Sequence, residues 1–248
     1  MRLELTFKVE NDGEMPSDYR RIFVAYLKKS IESINQGKYY ERYFASATTK
    51  PYSFSVILPK PIFRGEVIKL NGWDIKMIFS SEDKDGTGLI FSQAFLRMKN
   101  RNFKIPNKNS ITLKHIKILS EKEIVNQKVI FKTVAGAGLV IREHSQSNNS
   151  DKYYVLGEEK AEKQLKVVLK EQLLKRGFSD EVAEDIQIKP IQCKKVVARH
   201  YASFIDSTVG MFEMQADPKI LQYFYKAGIG SRSSIGFGLV DLVTQDLL

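Results

Sequence analysis

DPKILQYFYKAGIGSRSSIGFGLVDLV, residues 217–243, sets a helix, a glycine-rich stretch and a strand in that order. Asp217 and Pro218 are N-cap and first-turn residues. Ile220, Leu221, Phe224 and Tyr225 form one apolar face, and Gly228 ends the helix as a C-terminal glycine. Phe237–Val243 reads as the last strand. The order excludes two phosphate-binding folds. A dinucleotide fingerprint runs strand then helix, and a P-loop closes on Gly-Lys-Ser/Thr, which is absent here. What remains is a compact loop whose exposed amides, Ser231, Ser233 and Ser234 hydroxyls and Arg232 can contact an anion. The alternative is a tight turn whose glycines only permit close packing.

Working outward, MRLELTFKVE alternates like a strand, and Pro16, Ser17 and Asp18 supply helix-start chemistry. Ile22, Phe23, Tyr26, Leu27, Ile31 and Ile34 follow at helical spacing. A short helix or loop, residues 37–50, leads to the strand YSFSVILP. Strands around Glu66–Leu70 and Asp74–Phe79 are joined by a turn at Asn71-Gly72. Gly88–Met98 reads as a helix and Ile111–Leu119 as a closing strand.

The second half repeats this order. Strands fall at Val129–Thr133 and Leu139–Arg142, and His144–Asp151 reads as a polar loop. A helix carries Ala161, Leu165, Leu169 and Leu173, and a long hairpin runs over Gln187–Arg199 and Tyr201–Met214. Strand–helix–strand–strand–helix–strand, read twice, predicts an α+β chain of two tandem ferredoxin-like (RRM-like) domains. Their expected spans are residues 1–122 and 123–248, with the boundary near Ser120–Gln127.

The 248 residues carry a net charge of +10 and a single cysteine, Cys193, which rules out an internal disulfide. Residues 1–122 hold 22 Lys/Arg against 13 Asp/Glu, whereas residues 123–248 hold 17 against 16. No acid occurs from Gly86 to Ser120, where Arg97, Lys99, Arg101, Lys104, Lys108, Lys114 and Lys117 accumulate. Such a surface favours a polyanion, nucleic acid first; its bland alternative is a solvated face. No apolar run is long enough for a membrane span, and the opening lacks the apolar stretch of a signal peptide. A cytoplasmic protein is the expectation. Gly236-Phe237-Gly238 matches only part of an RNA-recognition strand motif, without its basic residue and aromatic tail.

Gly228-Ile229-Gly230, five residues, then Gly236-Phe237-Gly238 resembles the C-terminal glycine-rich loop of the repeat-associated RNA-binding superfamily of CRISPR systems. With MRLELTF, KPYSFSVILP at 50–59, LVIREHSQSNNSDKYY at 139–154 and the hairpin entering Gly210-Met211-Phe212, the chain resembles its repeat-processing endoribonuclease. That resemblance implies two ferredoxin-like domains and CRISPR repeat RNA as partner, with an effector complex as a further one. It implies cleavage without metal or cofactor, by the ribose 2′-hydroxyl, leaving a 2′,3′-cyclic phosphate and a 5′-hydroxyl.

The family's histidine, shortly before the motif equivalent to KPYSFS, has no counterpart here; Ala45 stands nearest by distance from Pro51. Lys50 then takes the role of electrostatic stabiliser. Tyr40, ahead of Tyr39 and Tyr43, is the candidate to orient the 2′-hydroxyl. The RNA-binding set is Gly228, Gly230, Ser231, Arg232, Ser233, Ser234, Gly236 and Gly238 in the loop, with Arg142, His144, Arg199 and His200. His115, in a strand, is expected to be structural. Two other readings stay open: a non-cleaving subunit that carries guide RNA, favoured by the missing histidine, and an unrelated ligand-binding or regulatory module.

Overall fold

The computed structural model describes residues 1–10, 13–46, 48–181, 185–201 and 203–247. In chain order the first part holds β1 (Arg2–Val9), β2 (Glu14–Pro16), α1 (Arg20–Glu32), β3 (Tyr52–Ile57), β4 (Ile62–Arg64), β5 (Val67–Lys69) and β6 (Asp74–Ser81). It continues with α2 (Thr87–Met98), β7 (Asn102–Ile105) and β8 (Asn109–Leu119). The second holds β9 (Lys128–Thr133), β10 (Ile141–Ser145), β11 (Ser150–Tyr154), α3 (Ala161–Leu174), β12 (Gln187–His200), β13 (Ser203–Gln215), α4 (Pro218–Ala227) and β14 (Val240–Thr244).

Both main sheets have ferredoxin-like order. The first is β3-β6-β1-β8 extended by β7, the second β12-β13-β9-β14, and all these neighbours are antiparallel. The alternation in β1 puts Leu3, Leu5, Phe7 and Val9 in the core, where Phe7 meets Tyr26 of α1 edge-on at 4.9 Å. The α3 stripe of Leu165, Leu169 and Leu173 packs in a second core with Phe131, Phe212, Leu221 and Phe224. The chain is two ferredoxin-like units in tandem. No helix among the described residues is long and apolar enough to cross a membrane.

The sequence reading fails at several edges, for identifiable reasons. Val67–Lys69 and Asp74–Ser81 do not form a hairpin: both sides of β6 are taken by β1 and β3, so β5 pairs instead with β2 and β4. Asn71 N donates to Pro59 O at 3.1 Å rather than closing a two-strand turn. The segment His144–Asp151 is a loop only at its centre, residues 146–149. It lies in the β10–β11 hairpin, whose cross-strand pairs Glu143–Lys152 and His144–Asp151 hold register by charge instead of apolar alternation. The strand expected at Leu139–Arg142 begins at Ile141, with Leu139 bridging Thr208, and the one expected at Phe237–Val243 begins at Val240. The acid-free basic run lies on the end of α2 and on β7 and β8, at the opposite edge of the first sheet from β3. His115, expected to be structural, is exposed there.

The two units meet across a seam of small side chains. Ser53 and Ser55 of β3 and Ser80 of β6 are fully buried, and α4 lies across these strands. Ile78, Val134, Ala137 and Leu239 add an apolar cluster between the two sheets. Arg2, buried in the first unit, donates to Val240 O at 3.0 Å and to Asp241 Oδ1 at 2.6 Å in the second.

Candidate nucleic-acid interface

The glycine-rich loop is built into the seam. Asp217 caps α4 by accepting from Lys219 N at 2.8 Å, and the helix ends at Gly228 with φ +88°. A Cβ at Gly228 would stand 2.7 Å from that of Ser53, so only glycine lets the helix end touch β3. Ile229 N donates to Gly238 O at 2.8 Å, Ser231 N to Val140 O at 2.9 Å and Gly238 N to Gly138 O at 3.0 Å. This corrects the expectation of a loop rich in exposed amides: these three are used internally, and Gly228, Gly230, Gly236 and Gly238 are buried. The accessible part is the tip, where Ser231, Arg232 and Ser234 are partly exposed and Ser233 is buried. Arg232 adopts the left-handed conformation at φ +62° just before the short 3₁₀ turn Ser233–Ile235.

Arg20 of α1 fixes the loop from the other unit. Its guanidinium lies 4.4 Å from the Phe237 ring centroid and donates to Gly236 O at 3.3 Å and Gly136 O at 2.6 Å. It is 7% exposed, so Arg20→Ala leaves two carbonyls unpaired across a buried gap. The expected cost is about 2–4 kcal/mol in urea denaturation.

On the far side of the loop Arg232 Nη2 donates to Asp151 Oδ2 at 2.8 Å, and Arg142 Nε and His144 Nδ1 reach Asp151 Oδ1 at 2.8 Å each. Burial opposes ionisation of Asp151, but hydrogen bonds from His144 and Arg142 and the Arg142 charge outweigh it and pull the carboxyl down to about 2. The structure thus brings Arg142, His144 and Arg232 together around an acid that sequence reasoning missed.

Arg199 and His200 take other partners. Arg199 Nη2 donates to Glu66 Oε1 at 2.7 Å. His200 is buried, beside Asp18 at 3.6 Å. Burial lowers its pKa, Asp18 raises it, and Arg232, Arg20 and Arg21 lower it further. A buried imidazole is poorly placed for the RNA contact expected of it.

The reactive candidates precede β3. Ala45 is the exposed last residue of a single π-turn, Glu41–Ala45. Lys50 is 6% exposed and folds back on that turn, its Nζ donating to Ser46 O at 2.8 Å and Thr48 Oγ1 at 3.3 Å. Burial pushes its ammonium below the ordinary lysine value. Tyr40 is half-buried against Phe44, ring centroids 5.4 Å apart, while Tyr43 is core, its hydroxyl 3.1 Å from Thr87 Oγ1. Lys50 lies three Cα–Cα steps before Ser53, which touches Gly228, so the lysine backbone stands within about 11 Å of the loop's contact with β3. Among the described residues no group of three or more His, Cys, Asp and Glu side chains could hold a metal ion.

The family model described as CRISPR associated protein Cas6, C-terminal, matches residues 119–242, half of the chain. Comparison with curated proteins gives no match. Among solved structures, the chain is similar to the protein of a Cas6-related gene from Pyrococcus furiosus, with a TM-score of 0.83 and 22% identity over 99% of both chains. It is also similar to a RAMP protein binding different RNA substrates, at TM-score 0.79 and 21% identity over 98% of this chain and 100% of that one. A Cas6 product complex follows at TM-score 0.68 and 12% identity, over 98% and 99% of the two chains. These likenesses give the fold, and the matched segment runs through the β10–β11 hairpin and the whole glycine-rich loop. The chain belongs to the Cas6 family of CRISPR-associated proteins.

Proposed function

We propose that the chain binds CRISPR repeat RNA and cuts precursor transcripts by internal phosphoryl transfer, with residues 1–122 carrying the reactive groups and 123–248 the RNA-holding loop. The ribose 2′-oxygen attacks the adjacent phosphorus, the bond from phosphorus to the 5′-oxygen breaks, and a 2′,3′-cyclic phosphate and a 5′-hydroxyl result. One proton leaves the 2′-hydroxyl and one reaches the departing oxygen. Lys50 stabilises the charge developing on the phosphoryl oxygens, and Tyr40 orients the attacking hydroxyl. Ala45 supplies no proton-transfer group, so this chain cuts slowly. The observation that carries the reading is the packing of the Cas6-matched glycine-rich loop on β3, the strand that Lys50 leads into.

Repeat RNA incubated in EDTA, with and without a 2′-deoxy substitution at the cut, tests the reading. Cleavage abolished by the substitution supports the enzyme. Tight binding without cleavage supports the second reading, a carrier of processed RNA, which Ala45 favours. Neither binding nor cleavage rejects both.

Lys50 yields a separate prediction. Its folded-state pKa is depressed, so the unfolded chain holds the proton more tightly and the fold gains stability as pH rises toward 10.5. Lys50→Met removes a buried cation with no carboxylate at hydrogen-bond distance among the described residues. The variant is expected to keep or raise the melting temperature at pH 7, to flatten the alkaline gain, and to lose cleavage. A large fall in melting temperature at pH 7 would show that Lys50 is a structural tie instead.

A further inference from the structure

The β10–β11 hairpin and the tip of the glycine-rich loop converge on one carboxylate. Asp151 Oδ1 accepts from Arg142 Nε and His144 Nδ1, both at 2.8 Å. Its Oδ2 accepts from Arg232 Nη2 at 2.8 Å and from the Tyr153 hydroxyl at 3.1 Å. An ionised carboxylate only accepts, so His144 carries its proton on Nδ1 and keeps Nε2 out of this contact. Arg142 likewise keeps both Nη atoms out of it. Arg232 keeps Nη1 and Nε, and that Nε is buried with no partner among the described residues. Two guanidinium charges against one carboxylate leave the cluster positive. Arg142, Arg232 and His144 are 31%, 23% and 38% exposed, so each side chain still meets solvent while Arg232 Nε stays buried.

Without the acid, two guanidinium groups from separate segments would repel and lose their fixed rotamers. Their hydrogen bonds to one carboxylate remove that freedom before any ligand arrives, which is how preorganisation raises affinity. We infer that Asp151 is a positioning residue that holds Arg142, His144 and Arg232 as one subsite for a phosphate of single-stranded repeat RNA. The inference rests on the RNA-binding reading above and adds to it the residue that assembles the subsite.

The sign of one substitution tests it. Asp151→Asn makes the protein one charge more positive, so an acid that merely competes with phosphate would, on removal, tighten binding. Positioning predicts the opposite: roughly tenfold weaker binding of labelled single-stranded repeat RNA to the full chain, measured well below the variant's melting temperature. It also predicts little further loss when Asp151→Asn is added to Arg232→Ala. Asp151→Glu keeps the charge but moves the carboxylate by a methylene, and it too is expected to weaken binding. This second variant decides the matter if the asparagine variant melts early. Tighter or unchanged binding in Asp151→Asn, unchanged binding in Asp151→Glu, or an equal loss in both Arg232 backgrounds overturns the inference. If Arg232→Ala still weakens binding, the RNA reading survives that failure. No binding by the unaltered chain, or no effect of Arg232→Ala, overturns both.

Discussion

Ala45→His is expected to speed cleavage of repeat RNA by at least about 100-fold in single-turnover assays in EDTA. A placed general acid or base is worth about 10²–10⁴ in rate, and this chain has no histidine in that segment. Ala45 is exposed at the end of the π-turn, and the next residue, Ser46, accepts the Lys50 ammonium on its carbonyl. An imidazole at position 45 therefore stands one residue from the carbonyl that holds the proposed phosphoryl-stabilising cation. The added rate should follow an ionisation near pH 6.5, the ordinary histidine value. RNA binding should be nearly unchanged, because proton transfer acts in the transition state. No gain in rate, with RNA still bound, would reject position 45 as the family histidine's place.

Gly238→Ala is expected to be the most damaging single change in the loop. Gly238 holds φ +69°, and a Cβ there would stand 2.1 Å from the carbonyl oxygen of Ile229. That carbonyl belongs to backbone, held where the Ile229 amide bonds Gly238 O at 2.8 Å. Relief requires opening the loop, and with it the contacts of Gly228 with Ser53 and of Arg20 with Gly236. Left-handed strain adds about 1–2 kcal/mol. The total should reach about 3 kcal/mol or more, a fall of roughly 10 °C in melting temperature for a chain of this size. RNA affinity should fall with it. Ser234→Ala, on the partly exposed side of the same loop, should stay within about 0.5 kcal/mol of the unaltered chain. Equal tolerance of both changes would show that the loop is not the tie between the two units.

The tandem ferredoxin-like order was legible because its elements bury one face each. β1 alternates, α1 and α3 carry apolar stripes, and α4 has its cap, proline and terminal glycine. Elements that bury little were not legible. The β10–β11 hairpin alternates charge with charge, so its residues read as solvent-loving loop. β5 has the strand signal of β6, but partner choice depends on which sheet edges are already filled, and no local pattern records that.

The site divides in the same way. The glycines announced a special loop, yet whether its amides face outward or bond inward depends on Val140 and Gly138, about 90 and 100 residues away in sequence. The resemblance singled out Lys50 as a stabilising cation, but only the turn at Ser46 and Thr48 shows that it is buried. Asp151 was passed over as one acid in a polar stretch. A signal existed: in a hairpin of this register His144 faces Asp151 directly, and Arg142 sits two residues along the same face.

The central claim is that the RNA strand runs over the tip of the glycine-rich loop and the hairpin beside it. Photo-crosslinking of 4-thiouridine-substituted repeat RNA, with adducts located by mass spectrometry, measures this without relying on activity. Adducts concentrated at residues 142–153 and 231–234 are the expected result. Adducts confined to the basic edge at residues 97–117, with none on the loop or hairpin, would contradict it.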